Sequence, residues 1–136
     1  LRYNGFMSIM VDIDDTLLRN GIYPIQRNID YINSLPGSKI IVTGRPESTR
    51  ARTVKALRDA GVRYSRLIMN PYGTKDSNKH KGEVAQRLKG VTLAIDNDAG
   101  ARAAYSKAGI KTMNPSSIPD PKKFWIIDFK SKLDNN

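Results

Sequence analysis

One stretch near the amino terminus constrains the fold more than any other. An apolar run from Ile9 to Val11 stops abruptly at Asp12, and Asp14 and Asp15 follow. A short Ile/Val/Met run closed by polar residues is typical of a buried parallel strand, and side chains two residues apart on a strand point the same way. We therefore expect Asp12 and Asp14 to lie together at the carboxyl end of this strand. Ligands bind at that end of open parallel sheets, so the pattern indicates a chemical site.

The rest of the chain alternates helical patterns with short apolar runs. Ile25, Ile29, Ile32 and Leu35 recur at three- and four-residue spacing, which is typical of one apolar helix face. By the same reasoning, helices are predicted at 25–35, 46–60, 81–88 and 99–108, and further strands at 39–42, 66–69, 91–95 and 110–113. This alternation predicts an α/β fold of three layers, Rossmann-like, around a parallel sheet of about five strands.

The length of 136 residues suits one domain with a real core. We therefore predict a single domain over 1–136. Residues 1–6, which precede Met7, are interpreted as a non-native leader. Residues 114–136 are interpreted as a C-terminal extension, in which the run 124–127 packs back on the domain.

The charge and composition of the chain limit the kinds of partner that it is expected to bind. The chain carries 23 Lys and Arg against 13 Asp and Glu, a net charge of +10, which favours phosphorylated or polyanionic partners. The absence of cysteine excludes disulfides and thiolate metal sites and fits a reducing compartment. No apolar run approaches 18 residues, so no membrane span is predicted. We expect a soluble, cytoplasmic protein without a membrane partner; the sequence does not indicate an oligomeric state.

Polar residues close the other strands in a recognisable order. The pattern D-x-D-x-T stands at 12–16, a second apolar strand ends at Thr43, Lys81 stands at the start of a helix, and a later apolar strand ends at Asp96. This order resembles the four motifs of the haloacid dehalogenase-like (HAD) phosphohydrolases. The resemblance implies a HAD-like fold and phosphomonoester hydrolysis through an aspartyl-phosphate, since a carboxylate can act as the nucleophile in phosphoryl transfer.

The same resemblance implies residue roles. Asp12 would be the nucleophile, and Asp14 would protonate the leaving oxygen and then activate water. Thr43 and Lys81 would bind the phosphoryl group, with Lys79 as the alternative lysine. A Mg²⁺ cofactor is expected, because two carboxylates, a carbonyl and waters suit this ion. Its protein ligands are predicted to be Asp12, the main-chain carbonyl of Asp14, and Asp96.

The fourth motif departs from its commonest form, which has two acids that are adjacent or four apart. Here the strand runs into Asp96, Asn97 and Asp98. Asn97 could bind a metal-bound water through its amide oxygen. For Asp98, a cap on the following helix and an outer role near the metal are both open.

The intervals between the motifs are short. Residues 17–42 and 44–80 are already occupied by predicted helices, strands and loops, so neither interval holds a folded cap domain. The site is therefore expected to be open, which suits a phosphate at the end of a large substrate.

A narrower resemblance follows the second strand. The turn at 43–47, Thr-Gly-Arg-Pro-Glu, followed by Arg50 and Thr53, is similar to the phosphatase domain of phage polynucleotide kinases, although Ala56 stands where those carry tryptophan. No Walker-type loop of a kinase occurs in the chain. The resemblance implies that substrate is contacted by Thr16, Gly44, Arg45, Arg50 and Thr53.

Three functions follow from these patterns. The first is removal of phosphate, most plausibly a 3′-phosphate, from a polynucleotide end with Mg²⁺. The second is a phosphatase for mononucleotides or small phosphoesters, and the third is a non-catalytic, basic nucleic-acid-binding module. DNA, RNA and free nucleotides, and 3′ and 5′ ends, all remain open as substrates.

Overall fold

A computed structural model describes residues 7–120 of the protein. The predicted leader at 1–6 and the predicted packing of 124–127 lie outside the described residues. The chain runs in order through β1 (Ser8–Val11), β2 (Leu18–Arg19), β3 (Tyr23–Pro24), α1 (Gln26–Ser34), β4 (Ser38–Pro46), α2 (Arg50–Asp59), β5 (Arg66–Asn70), α3 (Ser77–Arg87), β6 (Val91–Ile95), α4 (Ala99–Lys107) and β7 (Thr112–Met113), with short 3₁₀ turns at Glu47–Thr49 and Pro115–Ser117.

Within residues 7–120, five strands form one sheet in the order β5-β4-β1-β6-β7, and every pair is parallel. Side chains of β1 alternate between its two faces, as strand geometry requires. Ile9 and Val11 pack into a cluster with residues of α1 and α2, such as Ile32 and Leu57. Met10 packs on the other face with Tyr105 and other residues of α3 and α4. The predicted three-layer α/β fold is therefore confirmed.

The second strand and the helix after it differ from the prediction. β4 runs on to Pro46 instead of stopping at residue 42, and its register against β5 shifts between Val42 and Pro46. Pro46 is extended, with φ of −70° and ψ of 152°, so it belongs to the strand and not to the helix predicted at 46–60. The α-helix begins only at Arg50, after the 3₁₀ turn.

The predicted loop after Leu18 contains a small hairpin. β2 and β3 pair antiparallel, with Leu18 opposite Pro24 and Arg19 opposite Tyr23. The turn uses Asn20 and Gly21 at φ of 52° and 81°, a left-handed backbone that these two residue types tolerate best. This hairpin is the insertion that the described chain carries between the first two sheet strands, and it is far smaller than a cap domain.

The third helix begins earlier than its apolar pattern indicated. α3 starts at Ser77 instead of residue 81, because its first turn is polar and carries no apolar stripe. No helix among residues 7–120 is long and apolar enough to cross a membrane.

Candidate active site

The carboxyl ends of three neighbouring strands, β4, β1 and β6, border an open pocket of about 310 Å³ together with the amino-terminal end of α3. This is the sheet edge at which the sequence predicts a site. The residues that line the pocket are Asp12, Asp14, Gly44, Ser77, Asn78, Lys81, Asp96, Asn97 and Asp98.

A buried ammonium group joins two carboxylates at the bottom of this pocket. Lys81 Nζ donates to Asp12 Oδ1 at 2.9 Å and to Asp96 Oδ2 at 2.7 Å. The three side chains are 5%, 7% and 1% exposed, respectively. Lys79, the alternative lysine, lies instead over the Tyr72 ring, 5.0 Å from its centroid. The structure thus places Lys81, and not Lys79, against Asp12.

The protonation of this group follows from burial and charge. Burial raises the pKa of Asp12 to about 7, although the nearby Lys81 opposes the rise. Burial lowers the pKa of Lys81, but Asp12 and Asp96 outweigh it, so that this pKa lies above its ordinary value. Lys81 is therefore charged at neutral pH. A further cation beside Asp12 would oppose the effect of burial and favour the ionised form that a nucleophile requires.

The second carboxylate oxygen of Asp12 has its own partners. Thr16 Oγ1 donates to Asp12 Oδ2 at 3.0 Å, and Thr16 is fully buried. Thr16 does not line the pocket, so its observed contact is with Asp12, while its predicted contact with substrate stays a prediction. The hydroxyl fixes the carboxylate orientation from the side opposite Lys81.

Two groups lie beside this oxygen, the Asn97 side-chain amide and the Asp14 main-chain oxygen. The terminal amide atom of Asn97 lies 2.8 Å from Asp12 Oδ2 and 3.0 Å from the Asp14 main-chain oxygen. With its nitrogen there, Asn97 donates a hydrogen bond to each oxygen and satisfies both. With its oxygen there, three oxygens meet at about the 3.0 Å spacing of adjacent ligands of an octahedral Mg²⁺. The set fits a small hard cation in this second amide orientation.

The predicted ligand Asp96 is otherwise engaged. Its Oδ2 accepts from Lys81, and its Oδ1 accepts from the backbone N–H of Asp98 at 2.9 Å. Within residues 7–120, no three side chains drawn from His, Cys, Asp and Glu are arranged to hold a metal. Direct ligation by Asp96 stays a prediction, and the residue that lies beside Asp12 Oδ2 and the Asp14 main-chain oxygen is Asn97. Asp98 caps α4 by accepting from Ala101 N at 2.8 Å.

Asp14 is placed by a turn, not by the strand that carries Asp12. β1 ends at Val11, and the Ile13 carbonyl then accepts from three successive N–H groups, those of residues 16 to 18. The half-exposed Asp14 carboxylate is held by Arg45 in a bidentate pair, with Nε at 3.0 Å from Oδ2 and Nη2 at 2.8 Å from Oδ1. Asp12 and Asp14 nevertheless line the same pocket, as their spacing predicts.

Of the remaining predicted residues, Gly44 lines the pocket, whereas Thr43 and Thr53 do not. Thr43 is fully buried, and its Oγ1 accepts from the Arg45 N–H at 3.1 Å; it does not line the pocket. Gly44 does line it, and a Cβ there would lie 2.3 Å from Ser77 Oγ, so only glycine lets α3 approach this closely. Thr53 accepts from Arg45 Nη1 at 3.2 Å.

Arg50 forms its hydrogen bonds away from the pocket and from Arg45. Its guanidinium donates to Glu47 and to the Leu67 carbonyl, and it is not among the residues that line the pocket. Arg50 and Thr53 thus have different hydrogen-bond partners, although they lie three residues apart on α2. Its role in substrate binding stays a prediction.

Ser77 and Asn78 are pocket residues that the sequence analysis did not single out. They open α3, whose first turn has no side-chain cap. Free N–H groups at a helix start favour an anion. The spacing of Ser77 and Lys81, four residues apart on one helix, is the signal that could have found them.

Comparison with known proteins places the fold but not the family. Neither a family model nor a curated protein sequence matches the chain. A solved chain from the Pnkp1/Rnl/Hen1 RNA repair complex matches with a TM-score of 0.65 and 18% identity, over 79% of this chain and 42% of that one. NagD from E. coli K-12 matches with a TM-score of 0.34 and 16% identity, over 78% and 41%. The chain thus spans less than half the length of either. The first of these likenesses shows a shared fold, and the parallel five-stranded sheet between two layers of helices is the α/β architecture that the sequence predicts.

Proposed function

We propose that this protein is a Mg²⁺-dependent phosphomonoester hydrolase that acts through an aspartyl-phosphate on Asp12 and removes phosphate from a polynucleotide end, most plausibly a 3′ end. One observation carries the proposal. Asp12 is a buried carboxylate held on one oxygen by Lys81 and on the other by Thr16, at the bottom of an open polar pocket. Such a carboxylate is fixed in orientation and exposed to an incoming phosphate from the pocket side only.

The chain's own groups account for each proton and bond. An Asp12 oxygen attacks phosphorus in line while the ester P–O bond breaks, and the leaving oxygen takes a proton from Asp14. Asp14 then removes a proton from water, which attacks phosphorus and releases inorganic phosphate and free Asp12. For this work the Asp14 carboxyl must exchange its bond to Arg45 for one to substrate or water, and the freed Arg45 guanidinium can bind a phosphoryl oxygen bidentately.

Positive charge is supplied from two sides. Lys81 offsets charge that spreads over the phosphoryl oxygens in the transition state. Asp12, the main-chain oxygen of Asp14 and the side-chain oxygen of Asn97 would hold Mg²⁺, which supplies further neutralisation of that charge.

The openness of the pocket and the net charge of the protein support a polynucleotide as the substrate. No folded cap lies between the site strands within residues 7–120, so a bulky substrate can approach. The net charge of +10 favours a polyanion. The solved chain that matches with a TM-score of 0.65 belongs to an RNA repair complex, which supports the same direction.

The test is a phosphate-release screen of the wild-type protein, Asp12→Asn and Asp15→Asn, with Mg²⁺ and with chelator. Substrates are 3′- and 5′-phosphorylated oligonucleotides, 3′- and 5′-mononucleotides, and an aryl phosphate. Asp12→Asn is expected to lose at least about 10³-fold in kcat/KM. Asp15→Asn is the matched control: its side chain is exposed and does not line the pocket, and Asn tolerates its φ of 63°.

Each outcome separates the candidate functions. Retention of more than a tenth of wild-type activity by Asp12→Asn contradicts the assignment of Asp12 as the nucleophile. Preference for mononucleotides over oligonucleotides favours the small-substrate phosphatase. If the wild-type protein with Mg²⁺ does not hydrolyse the aryl phosphate, the result favours the third candidate function, a non-catalytic nucleic-acid-binding module.

A further inference from the structure

A second groove adjoins the active site on the far side of Arg45. Its volume is about 300 Å³, and its lining is mainly apolar. One wall comes from the β2–β3 hairpin and the other from the end of β4 and the start of α2. The residues that line it are Gly21, Ile22, Arg45, Pro46, Thr49, Arg52 and Ala56. The mechanism above uses Arg45 alone among them.

Arg45 lies between the groove and the catalytic pocket: it lines the groove and bonds Asp14, which lines the pocket. Its guanidinium donates to Asp14, to the Gly21 carbonyl at 3.0 Å and to Thr53 at 3.2 Å. One side chain thus connects the Asp14 turn, the hairpin and α2. A molecule whose phosphate contacts Asp12 would therefore extend past Arg45 into this groove with only one side chain between the two compartments.

The groove combines an apolar slot with positive charge. Ile22 is 61% exposed at the hairpin turn, a large apolar side chain left in water at the rim. Ala56 is small and leaves the floor open on α2. Arg52 is an exposed residue of the same helix and lines the groove with Arg45. Bases also stack on arginine guanidinium planes, and an apolar slot beside two arginines can hold a base in this way.

We infer that this groove holds the sugar and base of the nucleotide that bears the scissile phosphate, an inference that rests on the proposed function. A volume of about 300 Å³ is at the lower end of small-ligand pockets, so it accommodates one nucleoside and not several. The two arginines favour a nucleic acid over an acyl chain or an apolar peptide.

The same lining indicates that the base is held without being identified. Specific readout of a base uses arginine, amide or carboxylate side chains at its edges. The groove lining contains no amide or carboxylate, and the Thr49 hydroxyl already donates to the Pro46 carbonyl at 2.8 Å. The Arg45 guanidinium is already bonded to Asp14, Gly21 and Thr53, and we assign the exposed Arg52 to the phosphate backbone and not to a base edge. Stacking alone accepts every base.

The experiment compares two oligonucleotides phosphorylated at the end that the wild-type protein hydrolyses. One has a normal terminal nucleotide, and the other has an abasic sugar there. Loss of stacking on a guanidinium is expected to lower kcat/KM for the abasic substrate about 2- to 30-fold. Substitution of the terminal base by any of the other three is expected to change kcat/KM less than about threefold.

Variants assign the effect to this groove. Ala56→Trp fills the floor, and Ile22→Asp replaces the exposed rim residue, where a folding defect is not expected. In each, the ratio of kcat/KM between the base-bearing and abasic substrates is expected to fall toward one, because removing the base and blocking its site are not additive. Arg58→Ala, on an exposed part of α2 outside the groove, is the control and is expected to keep the wild-type ratio.

The outcomes separate this inference from the function on which it rests. Equal kcat/KM for the two oligonucleotides in the wild-type protein, or an unchanged ratio in both Ala56→Trp and Ile22→Asp, contradicts the assignment of the groove to the nucleoside. If the wild-type protein still hydrolyses the aryl phosphate in that case, the proposed phosphatase function is retained. A wild-type protein that hydrolyses no phosphoester contradicts the proposed function itself.

Discussion

Replacing Lys81 with Met is expected to destabilise the fold as well as abolish activity. Met retains the apolar stem but removes the ammonium that lies 2.9 Å from Asp12 and 2.7 Å from Asp96. The two carboxylates would then share a buried site without a cation. Removal of one partner from a buried ion pair leaves an uncompensated charge and costs about 3–5 kcal/mol.

The pH dependence of this loss follows from the sign of the repulsion. Protonation of either carboxyl group relieves it, so the folded variant binds a proton more readily than the unfolded chain does. Where the folded state binds more protons, stability falls as pH rises. We therefore expect the full loss of about 3–5 kcal/mol at pH 8 and a smaller loss at pH 5.

The assay is urea unfolding at both pH values without divalent metal. Lys79→Met is the matched control: Lys79 is exposed and contacts the Tyr72 ring, a contact worth about 0.5–1 kcal/mol. The double variant Lys81→Met/Asp96→Asn is expected to regain most of the stability, because only one carboxylate remains, and it keeps the test measurable if the single variant unfolds. A loss below about 1 kcal/mol at pH 8, or one equal to that of Lys79→Met, would refute the reasoning.

Three further predictions concern other groups. Asp14→Asn is expected to stop turnover and to let phosphate accumulate on Asp12, which mass spectrometry detects; a phosphorylated residue elsewhere would reassign the nucleophile. Asn97→Ala is expected to weaken Mg²⁺ binding about tenfold or more, measured as the Mg²⁺ concentration that half-stabilises the protein against heat; an unchanged midpoint contradicts its role as a ligand. Burial, with Lys81 and Arg87, lowers the pKa of His80 below its ordinary 6.5, so the unfolded chain binds the proton more readily and stability falls as pH drops below about 6.5. His80→Gln is expected to reduce that fall between pH 8 and pH 5.5 in thermal unfolding, and an equal fall in both proteins contradicts the assignment.

The sheet was predictable because its central strands are largely buried. Continuous apolar runs such as 9–11 and 40–42 indicate strands covered on both faces, and the helices between them require parallel pairing. The extension of β4 to Pro46 was not predictable in this way. Its last four residues, 43–46, are a threonine, a glycine, an arginine and a proline, which do not form an apolar run. The extended backbone at Pro46 depends on pairing with Asn70 across the sheet.

The candidate site was predictable as far as it depends on strand ends. Asp12 and Asp96 follow β1 and β6, which are neighbours in the sheet, so a lysine at the start of α3 can reach both. The Asp14 contribution could not be derived from the period of a strand. Its carboxylate is placed by the turn around the Ile13 carbonyl and by Arg45, and neither contact is encoded in the spacing of residues 12 and 14.

Residue type alone did not indicate the different contacts that Asp96 and Asn97 make after the end of β6. The Asp96 N–H still pairs with the Met113 carbonyl of β7, which keeps the strand direction and directs the Asp96 carboxylate to Lys81. The next residue then lies beside Asp12 and the Asp14 carbonyl. Consecutive residues after β6 therefore contact different parts of the site: Asp96 accepts from the Lys81 ammonium, and the Asn97 amide lies against Asp12. Direct metal ligation by Asp96 stays a prediction.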